Sequence, residues 1–387
     1  MVTPAPRPPR DPGLRSSVIV LVLISMLFTA AALTAFVEKA GNDLLVEVRQ
    51  ADAKRLRQEA FSALEVTLAV LEDFRQADNG LHSSGEGWGD PLEWADWKPS
   101  EGRTVEVTFR DESGKIPLNR ADLTTLTNLF TYWQMAPLEA EKLADALVGW
   151  MQNGYVYSTS ITPGYENAPI PYAEPGRPMR SFGELAAVAI AKDVFFDENG
   201  LPNDNYWRFV NDVSIFNYSQ PDANGTNEDV LAAVGQYTDT QKQHVKDYLT
   251  GTGQYASQGR QWFTSSSTLS AIAGVGGNAT QFGTTITALR VQVTVHEGHS
   301  QYRLSAVVAP QGGATMNTTN AVNATAAASS ASLAPKTPVT STALPSSSAT
   351  GAKAAAAASQ SINYPFTLLE MLEDDEIPQP PPPVPQT

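Results

Sequence analysis

The chain has 387 residues, a formal net charge of −15, 42% hydrophobic residues and no cysteine. That length exceeds one typical domain and leaves room for a sizeable core. The acidic balance offers no basic stripe to neutralise phosphates, which argues against a nucleic-acid partner, and the lack of Cys excludes disulfides, thiolate metal sites and thiol catalysis together.

In chain order, a basic, Pro-rich leader ends at Gly13 and is followed by an uncharged run from Ser16 to Val37. An apolar helix of roughly 20 residues spans a bilayer core. Arg7, Arg10 and Arg15 precede it, so the positive-inside bias leaves the N-terminus cytoplasmic and the rest of the chain across the membrane. Ala30, Ala31 and Ala35 near its end suit a cleaved secretory signal. Against that, the run exceeds the roughly 7–15 residues of a signal core and no turn residue follows it. Instead Leu45, Val48, Leu56, Ala60, Leu64, Leu68 and Leu71 recur at helical spacing among charged residues. One helix is predicted over 14–77, apolar and then amphipathic, with Gly41 a soft spot costing about 1 kcal/mol relative to Ala.

Asn79-Gly80 opens a Gly- and Pro-rich loop in which Trp88, Trp94 and Trp97 are expected to pack over a core edge. Residues 103–110 alternate as a half-buried strand, with Val105, Val107 and Phe109 on one face, and Asp111 to Gly114 turns the chain. Helices are predicted over 123–133, capped by Asn119 or Asp122, and over 137–151, with Pro137 in its first turn. Its inward face carries Leu143, Ala144, Leu147 and Trp150. Tyr155 to Met179 reads as an ordered loop pinned by Tyr155, Tyr157, Tyr165 and Tyr172. Ser181 with Glu184 resembles a capping box opening a third helix, and further helices are expected over 228–234 and 239–249. Strands over 286–295 and 301–308, joined at Glu297-Gly298-His299, form a hairpin.

After Gln311 the composition collapses into Ala, Ser, Thr, Asn and Pro, which predicts a disordered linker within a low-complexity tail, 311–387. Near its end the apolar cluster from Tyr364 to Leu372 suits docking in a partner's groove or packing on the chain's own domain. Both readings stay open.

The leader ending in Gly13, with Leu14 and the apolar helix directly behind it, resembles the processing site of type IV pilins and pseudopilins. The resemblance implies a leader over 1–13, removed by a prepilin peptidase between Gly13 and Leu14. Most pilins carry Glu at the fifth mature position, where this chain has Val18. An unpaired charge in hydrocarbon is costly, and a subunit with no neighbour above it lacks the amine such a Glu meets. That departure resembles the K class of minor pseudopilins in type II secretion systems (general secretion pathway protein K). The Asp111–Asn119, Ser181–Leu185 and Ser214–Asn217 stretches are similar to that class's signatures in their order along the chain.

The resulting expectation is an α+β fold. A long transmembrane and amphipathic helix (14–77) carries a small antiparallel pilin-like sheet domain (78–116 and 284–310), interrupted by an inserted helical domain (117–283). The resemblance implies a non-enzymatic minor pseudopilin in the bacterial inner membrane, globular domain periplasmic. It would sit at the pseudopilus tip and prime assembly for export of folded proteins. Its implied partners are I- and J-class minor pseudopilins, the prepilin peptidase and the inner-membrane assembly platform. Leu45, Val48, Leu56, Leu64, Leu68 and Leu71 are the expected helix-bundle contacts. The rival reading is a membrane-anchored periplasmic binding module with a flexible spacer tail.

No nucleophile elbow or phosphate loop appears. His296 and His299 stand too close, and in a turn, to share a helical face as zinc ligands. Two oxygen-rich loops have the ligand type calcium prefers: Asp197 to Asp204, and Asp222, Asn224, Asn227, Glu228 and Asp229. The K-class resemblance implies calcium in the globular region and favours the second.

Overall fold

The computed structural model describes residues 13–316 and 365–378. Within its first helix the side chains of residues 13–19, Leu45, Val48 and Arg49 lie outside the described residues, as do the leader and residues 317–364 and 379–387. The expectations placed on Leu14, Val18, Leu45, Val48 and the linker therefore fall outside them too.

Helix α1 (Gly13–Asp78) runs 66 residues without a break, about 100 Å at 1.5 Å per residue. Gly41 does not interrupt it. Val20–Leu44 is long and apolar enough to cross a membrane, and none of it is buried within the chain. Farther along, α1 turns a stripe inward: Leu56, Ala60, Ala63, Leu64, Leu68 and Leu71 are all buried.

That stripe packs on a four-stranded antiparallel sheet ordered β1-β4-β5-β6. The strands are β1 (Arg103–Asp111), β4 (Leu289–Glu297), β5 (Ser300–Pro310) and β6 (Phe366–Glu373). Strand alternation puts Val291, Val293, Val295, Leu304, Ala306 and Val308 on the helix side, where they share one core with the stripe of α1. This corrects the assignment of Leu56, Leu64, Leu68 and Leu71 as helix-bundle contacts. They are spent on the chain's own sheet, and the solvent side of this half carries Lys54, Arg55, Gln58, Ser62 and Glu65.

Strand β6 belongs to the tail. It pairs antiparallel with β5, with a register shift at Val307/Val308, and buries Phe366 and Leu369. The C-terminal cluster thus packs on its own domain. An ionic clasp fixes it: Arg57 donates to both carboxylate oxygens of Glu373 at 2.8 and 2.7 Å, and the Tyr302 hydroxyl donates to the same group at 2.6 Å. Those two donors hold the Glu373 carboxyl down to about 2. The ordered chain also continues past Gln311: Ala314 is buried, its N–H donates to Thr287 O, and Thr315 pairs with Asn217.

Between β1 and β4 the helical domain is inserted. A short parallel pair, β2 (Ile116–Pro117) with β3 (Val213–Ser214), stands at its base. Its helices are α3 (Leu123–Tyr132), α4 (Pro137–Met151), α5 (Ala191–Phe195), α6 (Asp204–Asp212), α7 (Glu228–Gly235), α8 (Asp239–Thr250) and α9 (Ser266–Ala273). Asp122, not Asn119, caps α3 by accepting from Thr125 N. The capping box at Ser181 does not form. Residues Phe182–Ala187 are a 3-10 turn, and Glu184 instead accepts from Arg180 N and Trp150 Nε1. The Tyr-rich loop is pinned from α4 by the buried Asp145, which accepts from the Tyr155 hydroxyl and from the Ser158 and Thr159 N–H groups.

The loop before β1 contains α2 (Pro91–Trp94). Trp88 is buried under Phe109, its Nε1 donating to Glu86, which also binds His82. Trp94 lies exposed against Phe74.

Leu71→Ala is expected to destabilise the folded chain by about 2–5 kcal/mol, the range for opening a core cavity. Leu44→Ala, in the exposed apolar segment, should leave the urea midpoint unchanged. Equal midpoints for the two variants would contradict the packing of α1 on the sheet.

Candidate functional site

The chemistry-bearing groups converge where the sheet hands over to the inserted domain. The turn expected at Asp111 to Gly114 is in place, and Glu112 to Lys115 are buried. The Glu112 and Ser113 N–H groups both donate to Ala288 O, Asp222 N donates to Ser113 O, and the Tyr218 hydroxyl bridges Glu112 O and Lys115 O. A Cβ on Gly114 would run into the Gly225 backbone and one on Gly225 into the Asp111 side chain, so both positions demand glycine.

Glu112 is 2% exposed and lies between two cations. Lys115 Nζ donates to both its oxygens at 3.0 Å and to Val210 O, and Arg290 Nε approaches at 3.4 Å. Burial pushes the Glu112 carboxyl up, but the Lys115 and Arg290 charges outweigh it and hold the carboxyl below its usual range. Burial likewise lowers Lys115, against the pull of Glu112.

Beside this triad stand two acid pairs. Asp111 accepts from Ser113 N and Oγ through Oδ1, and Asp222 accepts from Asn224 N through Oδ1. The Oδ2 atoms of both are buried with no other donor, and the two carboxyls share a proton between them. Burial raises Asp111 to about 6 and, with the Asp111 charge, raises Asp222 well above the carboxylate range. In the second pair, burial and Asp229 push Asp212 up to about 8. Asp229 stays ionised because Arg208 and Trp133 donate to it.

The oxygen-rich loops do not form the ligand sets the sequence suggested. Among Asp222, Asn224, Asn227, Glu228 and Asp229, only Asp222 keeps a buried oxygen with no partner beyond the proton it shares with Asp111. Asn224 binds Phe263 N, Phe263 O and Thr284 O, and Asn227 caps α7 and donates to Asp212. Glu228 pairs with Lys246 on the surface, and Asp229 with Arg208. Helix formation at Glu228 separates these groups, so the set as a whole does not fit one ion. In the other loop Asp197 closes a turn onto Asn199 N and Leu201 N, and Asn203 caps α6. No cluster of three or more His, Cys, Asp or Glu suited to a metal occurs among the described residues. What sequence reading missed is Asp111 opposite Asp222; the only signal was an acidic residue ending a strand before a Gly turn.

No family model matches the sequence, and no curated protein matches it. Among solved structures, the GspK-GspI-GspJ complex from the enterotoxigenic Escherichia coli Type 2 Secretion System is similar at 14% identity and a TM-score of 0.46. The match covers 68% of this chain and 93% of that one.

Folded Asp212 holds its proton to about 8 and Asp111 to about 6, whereas unfolded carboxyls release theirs near pH 4. The folded state therefore binds the extra protons across that window, and stability falls as pH rises from 4 toward 8. The slope is about 1.4 kcal/mol per pH unit per extra proton. In chelator, melting temperature should decline over this range, and Asp212→Asn should flatten the part between pH 6 and 8; a wild-type profile flat from pH 5 to 8 would contradict the buried acids.

Proposed function

We propose that this protein is a minor pseudopilin of the K class in a type II secretion system, a structural subunit without enzymatic activity, placed at the pseudopilus tip. The observation that carries the reading is architectural. One unbroken helix leaves a bilayer-length apolar segment and packs its second half on an antiparallel sheet, and a helical domain is inserted between the first two neighbouring strands of that sheet. The leader ending at Gly13 and the Val18 position support it from the sequence.

In this role the exposed apolar residues of Val20–Leu44, continuing through Val46, bundle with the helices of I- and J-class subunits. The stripe from Leu56 to Leu71 is already occupied by the sheet and takes no part. The inserted domain adds bulk that suits a position with no subunit stacked above it. The chain is anchored in the inner membrane with its globular part periplasmic, meets the assembly platform there, and primes a filament that exports folded proteins.

We propose calcium at Asp111 and Asp222, whose buried Oδ2 atoms have no partner beyond the proton they share and suit a hard divalent cation. Calcium there would replace the shared proton. Added calcium should raise the melting temperature at pH 7.5 relative to EDTA, and Asp222→Asn should abolish the increment; identical melting with calcium and EDTA would remove the ion from the proposal.

The defining test is the intact mass of the protein expressed with and without a prepilin peptidase. Loss of residues 1–13, absent in Gly13→Val, is expected. An uncut chain, or a cut near Ala31 or Ala35, would favour the tethered binding module instead.

A further inference from the structure

On the sheet face opposite α1, a cavity of about 500 Å³ opens between the strands, the inserted domain and the last described residues, Ile377 and Pro378. That volume lies in the range of small-molecule sites, roughly 300–1,000 Å³. We propose that this cavity binds a small amphipathic monoanion, an apolar body carrying one carboxylate-type head, with Arg110 as the residue that selects the charge.

The apolar part of the argument rests on Phe182, Trp207, Phe216 and Leu372, which line the space from both sides. Three aromatic side chains from the inserted domain and an aliphatic one from β6 suit an aromatic or branched hydrocarbon body. Trp207 also carries a buried indole Nε1 without an acceptor among the described residues, so the wall holds an unspent donor. Gln292, from β4, adds an amide that makes no hydrogen bond to described residues.

Charge decides the head group. Among the lining residues, Arg110, Lys115, Arg208 and Arg290 face Glu112 and Glu370. Lys115 and Arg290 are satisfied by Glu112, Arg290 also by Glu370 at 2.8 Å, and Arg208 by Asp229, which lies outside the lining. Arg110 is exposed and makes no ion pair or hydrogen bond among the described residues. One free guanidinium matches one carboxylate through a bidentate pair. A phosphate monoester, with nearly twice the charge, would need a second unspent cation, which the lining lacks. In a chain of net charge −15, a cavity whose single unpaired charge is positive stands out as a place where an anion is tolerated.

This inference does not depend on the pseudopilin reading. The test is isothermal titration of the full chain in lipid nanodiscs with 4-phenylbutyrate as probe, its uncharged amide as comparison, and empty nanodiscs as blank. One-site saturable binding of the acid is expected, at least tenfold tighter than the amide and weaker in high salt. Arg110→Gln should cut affinity for the acid about tenfold and leave the amide unchanged, with its melting curve confirming that this exposed change preserves the fold. Equal binding of acid and amide, no saturable heat, or an unaltered Arg110→Gln isotherm would overturn the proposal. So would binding that appears only after residues 379–387 are removed, since the chain itself would then be the occupant.

Discussion

The architecture hinges on one buried carboxylate. Glu112 follows directly on the last residue of β1, accepts from Lys115 and Arg290, and so joins the sheet to the first residues of the inserted domain and to β4 where the chain returns. Lys115 extends the link to Val210 O, next to the end of α6. Desolvating such a group is expensive, and a buried pair adds little net stability over apolar packing. Breaking it by removing one partner costs about 3–5 kcal/mol, because a buried charge is left uncompensated. The arrangement therefore acts as a registry device, since the charges are satisfied in only one relative placement of exit strand, return strand and insert. The close approach of Gly114 to Gly225 imposes the same placement sterically.

Helix α1 meets two solvents along one continuous backbone. Over Val20–Val37 it is exposed and carries no charge on any face, which suits hydrocarbon. Beyond Leu56 only one stripe is apolar, and that stripe is covered by β4 and β5. The change from uniform to striped hydrophobicity is what lets one helix serve as anchor and as core element. The same helix reaches the C-terminal end of the described chain, because Arg57 and Tyr302 hold Glu373 in place on β6. Strand β6 covers an edge of β5 that would otherwise present unpaired backbone groups, a recognised liability of sheets.

Much of this was legible in the sequence because it rests on local periodicity. The extent of α1, the strand of alternating Val105, Val107 and Phe109, the hairpin around Gly298 and the Pro137-initiated helix follow from spacing and turn chemistry alone. Where long-range contacts decide, sequence reading gave the wrong partner. An amphipathic stripe specifies that something covers it and not what, so Leu56 to Leu71 read equally well as a bundle seam. The acidic turn at Asp111–Gly114 has the composition of a surface loop, and only pairing with Lys115, Arg290 and Tyr218 makes its burial tolerable. Strand β6 was ambiguous for a related reason: a short apolar run far from its partner in sequence carries no register information.

The candidate calcium residues show the same limit in sharper form. Oxygen-rich loops with a Gly are shared by ion sites, helix caps and tight turns, because each exploits the same side-chain acceptors. Asn227 and Asn203 are spent as caps, Asp197 closes a turn, and Asp229 answers Arg208. What separates an ion site from these uses is an acceptor left over after the local backbone is satisfied. Asp111 and Asp222 meet that criterion through atoms on segments more than a hundred residues apart. Their convergence depends on the insert folding back against the end of β1. The two carboxylates therefore report on the docking of insert to sheet, and whichever positive charge they share, proton or divalent cation, acts on the contact that fixes one domain against the other.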